Sequence, residues 1–252
     1  MTDKKIILTI TKLTTGYNSS PVLNNINFSV YSDDFIGVIG PNGGGKTTLV
    51  KAILGLIKPW TGKVVYAGEI DKNGGIGYLP QINNIDRKFP ISVMDVVLSG
   101  LVRKQRLFKG FSKEEKIGAS QLIEEMGIGE LSLKPIGELS GGQLQRVFLS
   151  RSVISNPSLL ILDEPNTYVD NNFESELYEK LRTLNKKMAV IIVSHDVGMI
   201  SSYVKTIACV NKELHYHESN IISEEQLQSY NCPIKLITHG DVPHTVLGQH
   251  KH

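Results

Sequence analysis

Nine consecutive residues near the start of the chain have the types and spacing of a phosphate-binding loop. They read Gly40-Pro41-Asn42-Gly43-Gly44-Gly45-Lys46-Thr47-Thr48 and fit the pattern G-x-x-x-x-G-K-[ST]. In that pattern the glycines let backbone N–H groups close on phosphate oxygens, Lys46 reaches the β- and γ-oxygens, and the Thr47 hydroxyl ligates Mg²⁺. The segment therefore predicts a site for a nucleoside triphosphate and magnesium.

The flanking residues predict the strand and the helix that such a loop requires. Phe35 to Ile39 form a short apolar run that is typical of a buried strand. After Lys46, apolar residues recur with helical spacing at Leu49, Ala52, Ile53 and Leu56. A helix that begins there directs its positive dipole end and its free N–H groups at the phosphates.

Two acidic residues follow a second apolar run. Leu159 to Leu162 is typical of a parallel strand, and Asp163, Glu164 and Pro165 come directly after it. Open α/β sheets bind ligands at the carboxyl ends of their strands. We therefore assign Asp163 to Mg²⁺ and Glu164 to the general base that takes a proton from the attacking water. The alternative is a solvated turn that happens to carry two acids.

A histidine follows the third apolar run, Ala189 to Val193. We expect His195 to lie at the same edge of the sheet and to hydrogen-bond the γ-phosphate. The competing interpretation is a structural histidine, which is the commoner role for a single histidine after a strand.

A second glycine-rich turn, Leu139 to Gln143, reads LSGGQ and opens a predicted helix. With these motifs in this order, the chain resembles the ATP-binding subunits of ABC transporters from about Ile6 to Glu218. The resemblance implies ATP hydrolysis on an α/β fold. That fold has a P-loop, RecA-like core, an antiparallel β flank and an inserted α-helical subdomain.

The same resemblance gives roles to residues outside the phosphate loop. It implies that Tyr17 stacks on adenine and that Gln81 touches Mg²⁺ and water and relays the nucleotide state to a membrane subunit. His195 becomes the switch histidine, and Asp170 belongs to the loop after the second apolar strand. Tyr168 in that loop is bulkier than the residue in many relatives, so the contacts of the loop across a subunit interface are an open question. The alternative is that Tyr168 only packs in that interface.

The resemblance also implies a head-to-tail homodimer with two ATP molecules at the seam. The LSGGQ turn of one copy closes over the ATP that is bound by the other copy. Ser140 and Gly142 then supply a hydroxyl and a backbone N–H to the γ-phosphate. The residues placed at the partner's nucleotide in this way are Ser140, Gly141, Gly142 and Gln143.

The remaining patterns suggest how the chain is divided. Alternating apolar residues after Ile6 and after Ile26 predict antiparallel strands. We expect an ATPase domain at residues 1–220, with its helical subdomain at about 82–156, and a tail at 221–252. In the subdomain, Ser112 to Glu115 predicts a capping box. The apolar residues that follow it with helical spacing are Ile117, Leu122, Ile123 and Met126.

Composition restricts the possible partners and location. The chain has 252 residues, 40% of them hydrophobic, and 27 Lys and Arg against 25 Asp and Glu give a net charge of +2. Because a nucleic-acid binder shows a basic footprint, we expect no nucleic-acid partner.

The sequence has neither a signal-peptide pattern at its start nor an apolar run long enough for a membrane helix. We expect a peripheral protein at the cytoplasmic face of the cell membrane, with Cys209 and Cys232 reduced.

The segment Phe89 to Gly100 bears on the cargo. Ser92 predicts a helix cap, and the apolar face that follows is suited to line a groove for a partner helix or to pack within its own subdomain. The string is similar to that of importers for zinc, manganese and chelated iron. We therefore expect an importer of a transition-metal cation such as zinc or manganese. Its partners are membrane permease subunits and, indirectly, an extracytoplasmic substrate-binding protein.

Two alternatives stay open for the function. One keeps the transporter but changes the cargo to an iron-siderophore, haem or cobalamin. The other is a transporter-free ABC ATPase that clamps nucleic acid or ribosomes, against which the near-neutral charge argues.

Histidines are concentrated at the end of the chain. Four of the seven fall in the last fourteen residues: His239, His244, His250 and His252. Neutral imidazole binds Zn²⁺ and similar ions, so the tail is a candidate transition-metal site. The alternative is a polar tail with an accidental excess of histidine, since the spacing matches no closed zinc site. His215 and His217 lie at i and i+2 on a predicted strand and are either further ligands or surface residues.

Overall fold

The structure is a computed structural model that describes residues 4–67, 70, 75–81, 89–102, 110–165, 171–195, 197–220, 234–238 and 243–247. For residues 171–174, 197, 199, 234–238 and 243–247 only the backbone is described.

Six of the described strands form the central sheet. Their spatial order is β5 (Ile76–Leu79), β6 (Leu159–Asp163), β7 (Ala189–Val193), β3 (Phe35–Ile39), β8 (Thr206–Asn211) and β9 (Glu213–His217). Neighbours are parallel except for β9, which pairs antiparallel with β8 at the edge. Every residue of β3, β6 and β7 is buried, as expected for apolar strands covered on both faces. The apolar runs thus predicted these three strands correctly.

A second sheet forms the predicted antiparallel flank. It consists of β1 (Ile6–Tyr17), β2 (Ser20–Tyr31) and β4 (Thr61–Tyr66), with β1 in the middle. Both neighbours run antiparallel to β1. Near the carboxyl end of the chain, β10 (Ile234–Thr238) and β11 (Pro243–Leu247) pair as a hairpin.

Helices lie on both faces of the central sheet. They are α1 (Lys46–Ile53), α2 (Val93–Ser99), α3 (Lys113–Glu125), α4 (Gly141–Val153), α5 (Asn171–Leu184) and α6 (Val197–Ser201), with short 3₁₀ turns at Gly129–Leu131 and Ile136–Glu138. Within the described ranges, every helix is too short or too polar to cross a bilayer.

Alternation along the strands divides the core into two clusters. Leu160, Leu162 and Ile192 face the cluster that contains residues of α2 to α6. Leu159 and Ile161 face the opposite cluster, with α1 and the antiparallel sheet. Because successive side chains of a strand point to opposite faces, a run of apolar residues can serve both clusters at once. This two-sided packing fixes the carboxyl ends of β3, β6 and β7 relative to one another.

The helix after Lys46 is shorter than the apolar spacing predicted. It ends at Ile53, and Leu56 lies beyond it and is 66% exposed. Gly55 has φ +70°, its N–H bonds to the Ala52 carbonyl, and the Leu56 N–H bonds to the Lys51 carbonyl. This pair of bonds is a Schellman cap, which stops the helix at a left-handed glycine.

The predicted capping box of α3 is confirmed, but its predicted apolar face is partly wrong. Ser112 and Glu115 each bond the other's backbone N–H. Ala119, Ile123 and Met126 are buried, whereas Ile117 is 49% exposed. At 3.6 residues per turn, Ile117 lies about 200° around the helix from Ala119, on the solvent side.

Candidate active site

The loop Gly40–Thr48 joins the carboxyl end of β3 to α1, and its shape depends on glycine. Gly40 has φ +148°, and a Cβ there would lie 2.0 Å from the Val210 carbonyl oxygen. Gly45, the N-cap of α1, has φ +108°. Any larger residue at either position would be strained. The first N–H groups of α1 have no partner within the helix, so this end suits a bound anion.

Lys46 lies inside the loop. The residue is only 6% exposed, and its Nζ donates to the carbonyl oxygens of Gly40 at 2.9 Å and Pro41 at 3.1 Å. The loop backbone therefore fixes the ammonium group beside the glycine-rich turn. In this position it can exchange carbonyl partners for phosphate oxygens without leaving the loop.

Asp163 ends β6 and is 4% exposed. Burial raises the pKa of its carboxyl group, and the neighbouring charge of Glu164 raises it further. The Lys46 charge and a hydrogen bond from the Thr47 side chain act in the opposite direction. Asp163 and Thr47 thus present two oxygen ligands at one point, and a buried carboxylate of this kind is stabilised by a cation.

Three predicted catalytic side chains meet at Glu164. Its Oε2 accepts a hydrogen bond from Gln81 Nε2 at 2.9 Å, and its Oε1 lies 3.9 Å from His195 Nδ1. Gln81 follows β5, Glu164 follows β6 and His195 follows β7, so the sheet order brings them together. The Glu164 side chain is 22% exposed and the His195 side chain 61% exposed. Water can therefore reach the carboxylate.

Tyr17 lies at the end of β1 with a half-exposed ring, as expected of a stacking platform. Lys51 Nζ lies 5.6 Å from the centre of that ring. This is within the distance of a cation–π contact. Sequence reasoning did not predict Lys51, although a cation five residues after Lys46, on the same short helix, was a usable signal.

Ser140 caps α4 through a reciprocal pair of bonds. Its Oγ accepts from the Gln143 N–H at 3.3 Å, and its own N–H donates to Gln143 Oε1 at 3.0 Å. The turn is therefore a capping box. Because the side-chain oxygen Oε1 of Gln143 bonds the Ser140 N–H, the side chains of the LSGGQ segment hold the start of the helix in place.

Comparison with known proteins identifies the group to which this site belongs. A sequence model of the family described as "ABC transporter" matches residues 23–167. The chain belongs to the ABC transporter family. ATP-binding subunits of this family hydrolyse ATP, and the chain is an ABC-type ATPase.

Two curated relatives match over most of their length. The "Probable metal transport system ATP-binding protein" of Thermotoga maritima is 39% identical over 225 residues, 88% of this chain and 89% of the relative. The zinc uptake system ATP-binding protein ZurA of Listeria innocua is 36% identical over 246 residues, 90% of this chain and 96% of the relative. Among solved structures, cbiO1 from Clostridium perfringens, part of the ABC transporter complex cbiONQ, has a TM-score of 0.74 at 24% identity. That alignment covers 90% of this chain and 94% of cbiO1, and it confirms the ABC ATPase fold.

Several residues with predicted roles lie outside the described part of the ABC ATPase. They are Tyr168, Asp170, Cys232, His239, His250 and His252. His244 lies on β11, opposite Ile237 on β10, where only the backbone is described. The roles of Asp170 and of the tail histidines therefore stay predictions.

The other histidine and cysteine residues form no metal cluster in the described part of the chain. Cys209 is a free thiol that is fully buried in β8. His215 and His217 lie on β9 and are half-buried. Burial lowers the pKa of His217, and the neighbouring His215 lowers it further. We interpret the pair as strand residues of the sheet edge.

The apolar face of α2 packs mainly within the chain, which was the alternative to a groove wall. Val93, Val96, Val97 and Leu98 are buried in the core cluster shared with α3 and α4. Ser92 caps the helix as predicted, by accepting the Asp95 N–H. Phe89 and Val102, which flank the helix, are 59% and 53% exposed. A partner helix would therefore meet the flanks of α2 and not its buried face.

The burial of Asp163 predicts a pH-dependent stability effect. We expect Asp163→Asn to raise the Tm of the protein in EDTA at neutral pH, because the variant removes a buried charge. Burial raises the pKa of Asp163 in the folded protein. The destabilisation of the wild type relative to the variant is therefore absent below the ordinary pKa of 3.8 and grows as pH rises from there through the raised pKa. Thermal denaturation at several values between about pH 4 and about pH 8 measures this. A wild-type Tm equal to or above that of the variant at neutral pH would contradict it.

Proposed function

We propose that this ABC ATPase is the ATP-binding and hydrolysing subunit of an importer for a transition-metal cation such as zinc or manganese. The observation that carries the hydrolytic part is the meeting of Gln81 and His195 at the Glu164 carboxylate. The cargo rests on the relatives named for zinc uptake and metal transport. Their alignments cover 88% and 90% of this chain, so the comparison applies to most of its length.

The chain's own residues divide the work of hydrolysis. Tyr17 stacks on the adenine, and the loop N–H groups and Lys46 hold the β- and γ-phosphates. Glu164 accepts the proton of the attacking water, and Gln81 orients the same carboxylate. His195 donates a hydrogen bond to the γ-phosphate from the opposite side of Glu164. These assignments give each polar side chain around Glu164 a role in hydrolysis.

Mg²⁺ fits the residues at the end of β6. Asp163 and Thr47 supply the oxygen ligands that Mg²⁺ prefers, and Gln81 adds a further oxygen. When bound, Mg²⁺ neutralises charge that develops on the phosphate oxygens. It would also relieve the cost of the ionised, buried Asp163 carboxylate.

We further propose that two copies enclose the nucleotides. Ser140, Gly141, Gly142 and Gln143 of one copy would cover the ATP held by the loop of the other, with Asp170 at the seam. The rigid start of α4 supports this role, since its free N–H groups and dipole favour an anion. The ATPase domain would span residues 1–220, with a helical subdomain at about 82–156.

The subunit would bind integral permease subunits at the cytoplasmic face of the membrane. The exposed Phe89 and Val102 beside α2 provide apolar contacts for them. An extracytoplasmic substrate-binding protein would deliver the cargo to the permease. This arrangement places metal recognition in the other subunits and energy supply in this one.

Transport in vesicles tests the proposal. The subunit is purified with the membrane protein encoded beside it, and ATPase activity and uptake are measured with zinc, manganese, ferric siderophore, haem and cobalamin. We expect zinc or manganese to stimulate both, and the Glu164→Gln variant to abolish both. Stimulation by the chelates alone would overturn the proposed cargo. Failure to co-purify with any membrane protein would overturn the role in transport.

The histidine-containing tail at residues 221–252 yields a separate prediction. We expect the full chain to bind Zn²⁺ more tightly than about 1 mM, and a chain ending at residue 220 to lose this affinity. Calorimetry on metal-free protein measures both. A His215→Ala, His217→Ala double variant is the matched control and should retain the affinity. Unchanged zinc affinity after truncation would contradict a tail site.

A further inference from the structure

Gln145 connects the signature helix to the segment that carries the general base. It lies on the second turn of α4, five residues after Ser140, and is 2% exposed. Its Nε2 donates a hydrogen bond to the carbonyl oxygen of Pro165. Pro165 is buried and directly follows Glu164. One side chain therefore joins the LSGGQ helix to the end of β6.

The backbone that receives this bond is strained. Glu164 has φ +49°, in the left-handed region that non-glycine residues seldom occupy. A following proline also favours an extended conformation for the residue before it. Such a backbone conformation is unfavourable and persists only where its surroundings hold it. The Glu164 N–H donates to the Val193 carbonyl at 3.0 Å, which holds one side of the peptide.

Gln145 holds the backbone on the other side of Glu164, through the Pro165 carbonyl. The proline ring fixes φ at Pro165, so few soft torsions separate its carbonyl from the Glu164 backbone. The Gln145 Oε1 atom is buried and has no hydrogen-bond partner among the residues that the structure describes, which carries a cost of its own. An apolar side chain of the same shape would avoid that cost. Within the described part of the chain, the bond to Pro165 is the polar contact of this amide that a hydrocarbon side chain could not make.

The same turn of α4 is fastened to its neighbours by Arg146. Its Nη1 donates to the Met126 carbonyl at 3.0 Å, beyond the end of α3, and its Nη2 pairs with Glu176 on α5. The turn that carries Gln145 therefore lies in a fixed frame. We therefore expect a displacement of α4 to reach Pro165 through the Gln145 side chain.

We propose that Gln145 is a positioning residue that sets the orientation of the Glu164 carboxylate according to the position of α4. The inference rests on the proposed function, in which Ser140 at the start of α4 touches the ATP held by the partner copy. Contact with the partner's nucleotide then adjusts the general base of the chain's own site. Gln145 thus couples the two ATP sites of the dimer.

Steady-state ATPase kinetics of Gln145→Met test the inference. This side chain has a similar length but cannot donate a hydrogen bond. We expect kcat to fall about 10- to 100-fold, since a misplaced group can cost about 100-fold, while KM changes less than about 3-fold. The Hill coefficient for ATP should fall to about 1. The matched control is Ser152→Ala on the same helix, which removes only a buried hydroxyl bonded to the Leu149 carbonyl and should leave both values unchanged.

The variant Gln145→Glu separates a positioning role from a packing role. A neutral carboxyl group can donate to the Pro165 carbonyl, whereas a carboxylate cannot. Its kcat relative to wild type should therefore rise as pH falls from about 8 to about 6, because burial raises the pKa of the introduced acid. This test follows the ratio of the variant kcat to the wild-type kcat as pH changes. It therefore holds even where Gln145→Met is less stable.

Wild-type kcat and cooperativity in Gln145→Met would overturn the inference. So would a pH-independent loss in Gln145→Glu, or an equal loss in Ser152→Ala. If these results occur while the wild-type protein hydrolyses ATP, the proposed function stands and only the role of Gln145 falls. Absence of ATPase activity from the wild-type protein would overturn both.

Discussion

Replacing Glu164 by glutamine is expected to lower kcat for ATP hydrolysis by about 100- to 10,000-fold while ATP binding stays intact. The reason is geometric, because Glu164 is the carboxylate on which Gln81 and His195 converge. Glutamine keeps the shape and can still accept the Gln81 bond, but it cannot take a proton from water. Phosphate release and equilibrium binding of a fluorescent ATP analogue measure the two effects separately.

The control for this variant is Glu179→Gln, which changes an exposed carboxylate on α5. It should hydrolyse ATP at the wild-type rate. Hydrolysis at the wild-type rate by Glu164→Gln would show that another group accepts the proton. A loss of ATP affinity in Glu164→Gln would show that the residue serves binding and not chemistry.

Replacing Lys46 by alanine is expected to weaken ATP binding, in contrast to Glu164→Gln, which keeps ATP binding and loses turnover. Its buried ammonium group lies between two loop carbonyls, directly beside the glycine-rich turn. Hydrogen bonds to a charged group contribute about 1.5–3 kcal/mol, so the Kd for ATP should rise roughly 10- to 150-fold. Calorimetric titration with ATP measures this change, and kcat at saturating ATP shows the effect on turnover.

Lys63→Ala is the matched control for the loss of a lysine, since Lys63 lies exposed on β4 away from the loop. It should bind ATP like the wild type. Lys46→Arg tests whether charge alone suffices, because arginine keeps the charge with a different shape. ATP affinity in Lys46→Ala equal to that of the wild type would contradict the assignment of the loop.

The sequence predicted most strongly those features whose causes are local. Short apolar runs identified β3, β6 and β7, because a strand buried on both faces reads as a nearly continuous apolar segment. The capping box predicted at Ser112 and Glu115 is present in the structure, and a second one with the same spacing, at Ser140 and Gln143, was not predicted. The glycine-rich loop was predicted for a similar reason, since its positive φ angles require particular residues at particular positions.

The errors and omissions arose from tertiary placement. Periodicity carried α1 past Gly55 to Leu56, although the left-handed glycine ends the helix first. Ile117 fitted a helical pattern, but the helix turns that residue to solvent. Lys51 and Gln145 escaped notice because their partners, Tyr17 at the end of β1 and Pro165 beyond the end of β6, are distant along the chain. No spacing rule links a side chain to a residue that only the fold brings near.

The meeting of Gln81, Glu164 and His195 could be predicted only in part from the sequence. Glu164 and His195 were each predicted from a position after an apolar strand, which suggested one edge of the sheet, whereas Gln81 was predicted from the family resemblance alone. The order β5, β6, β7 then made the meeting necessary, because adjacent parallel strands present their carboxyl ends side by side. The sequence alone did not contain that order.

The mass of the Glu164→Gln variant in solution, measured by light scattering, tests the central claim of two copies enclosing ATP. With saturating ATP and Mg²⁺, the account predicts a particle of twice the mass of one chain, and with ADP or EDTA a single chain. The LSGGQ turn must then close over the partner's phosphate loop. A single-chain mass with ATP and Mg²⁺ at every protein concentration would contradict the enclosed site and the coupling that depends on it.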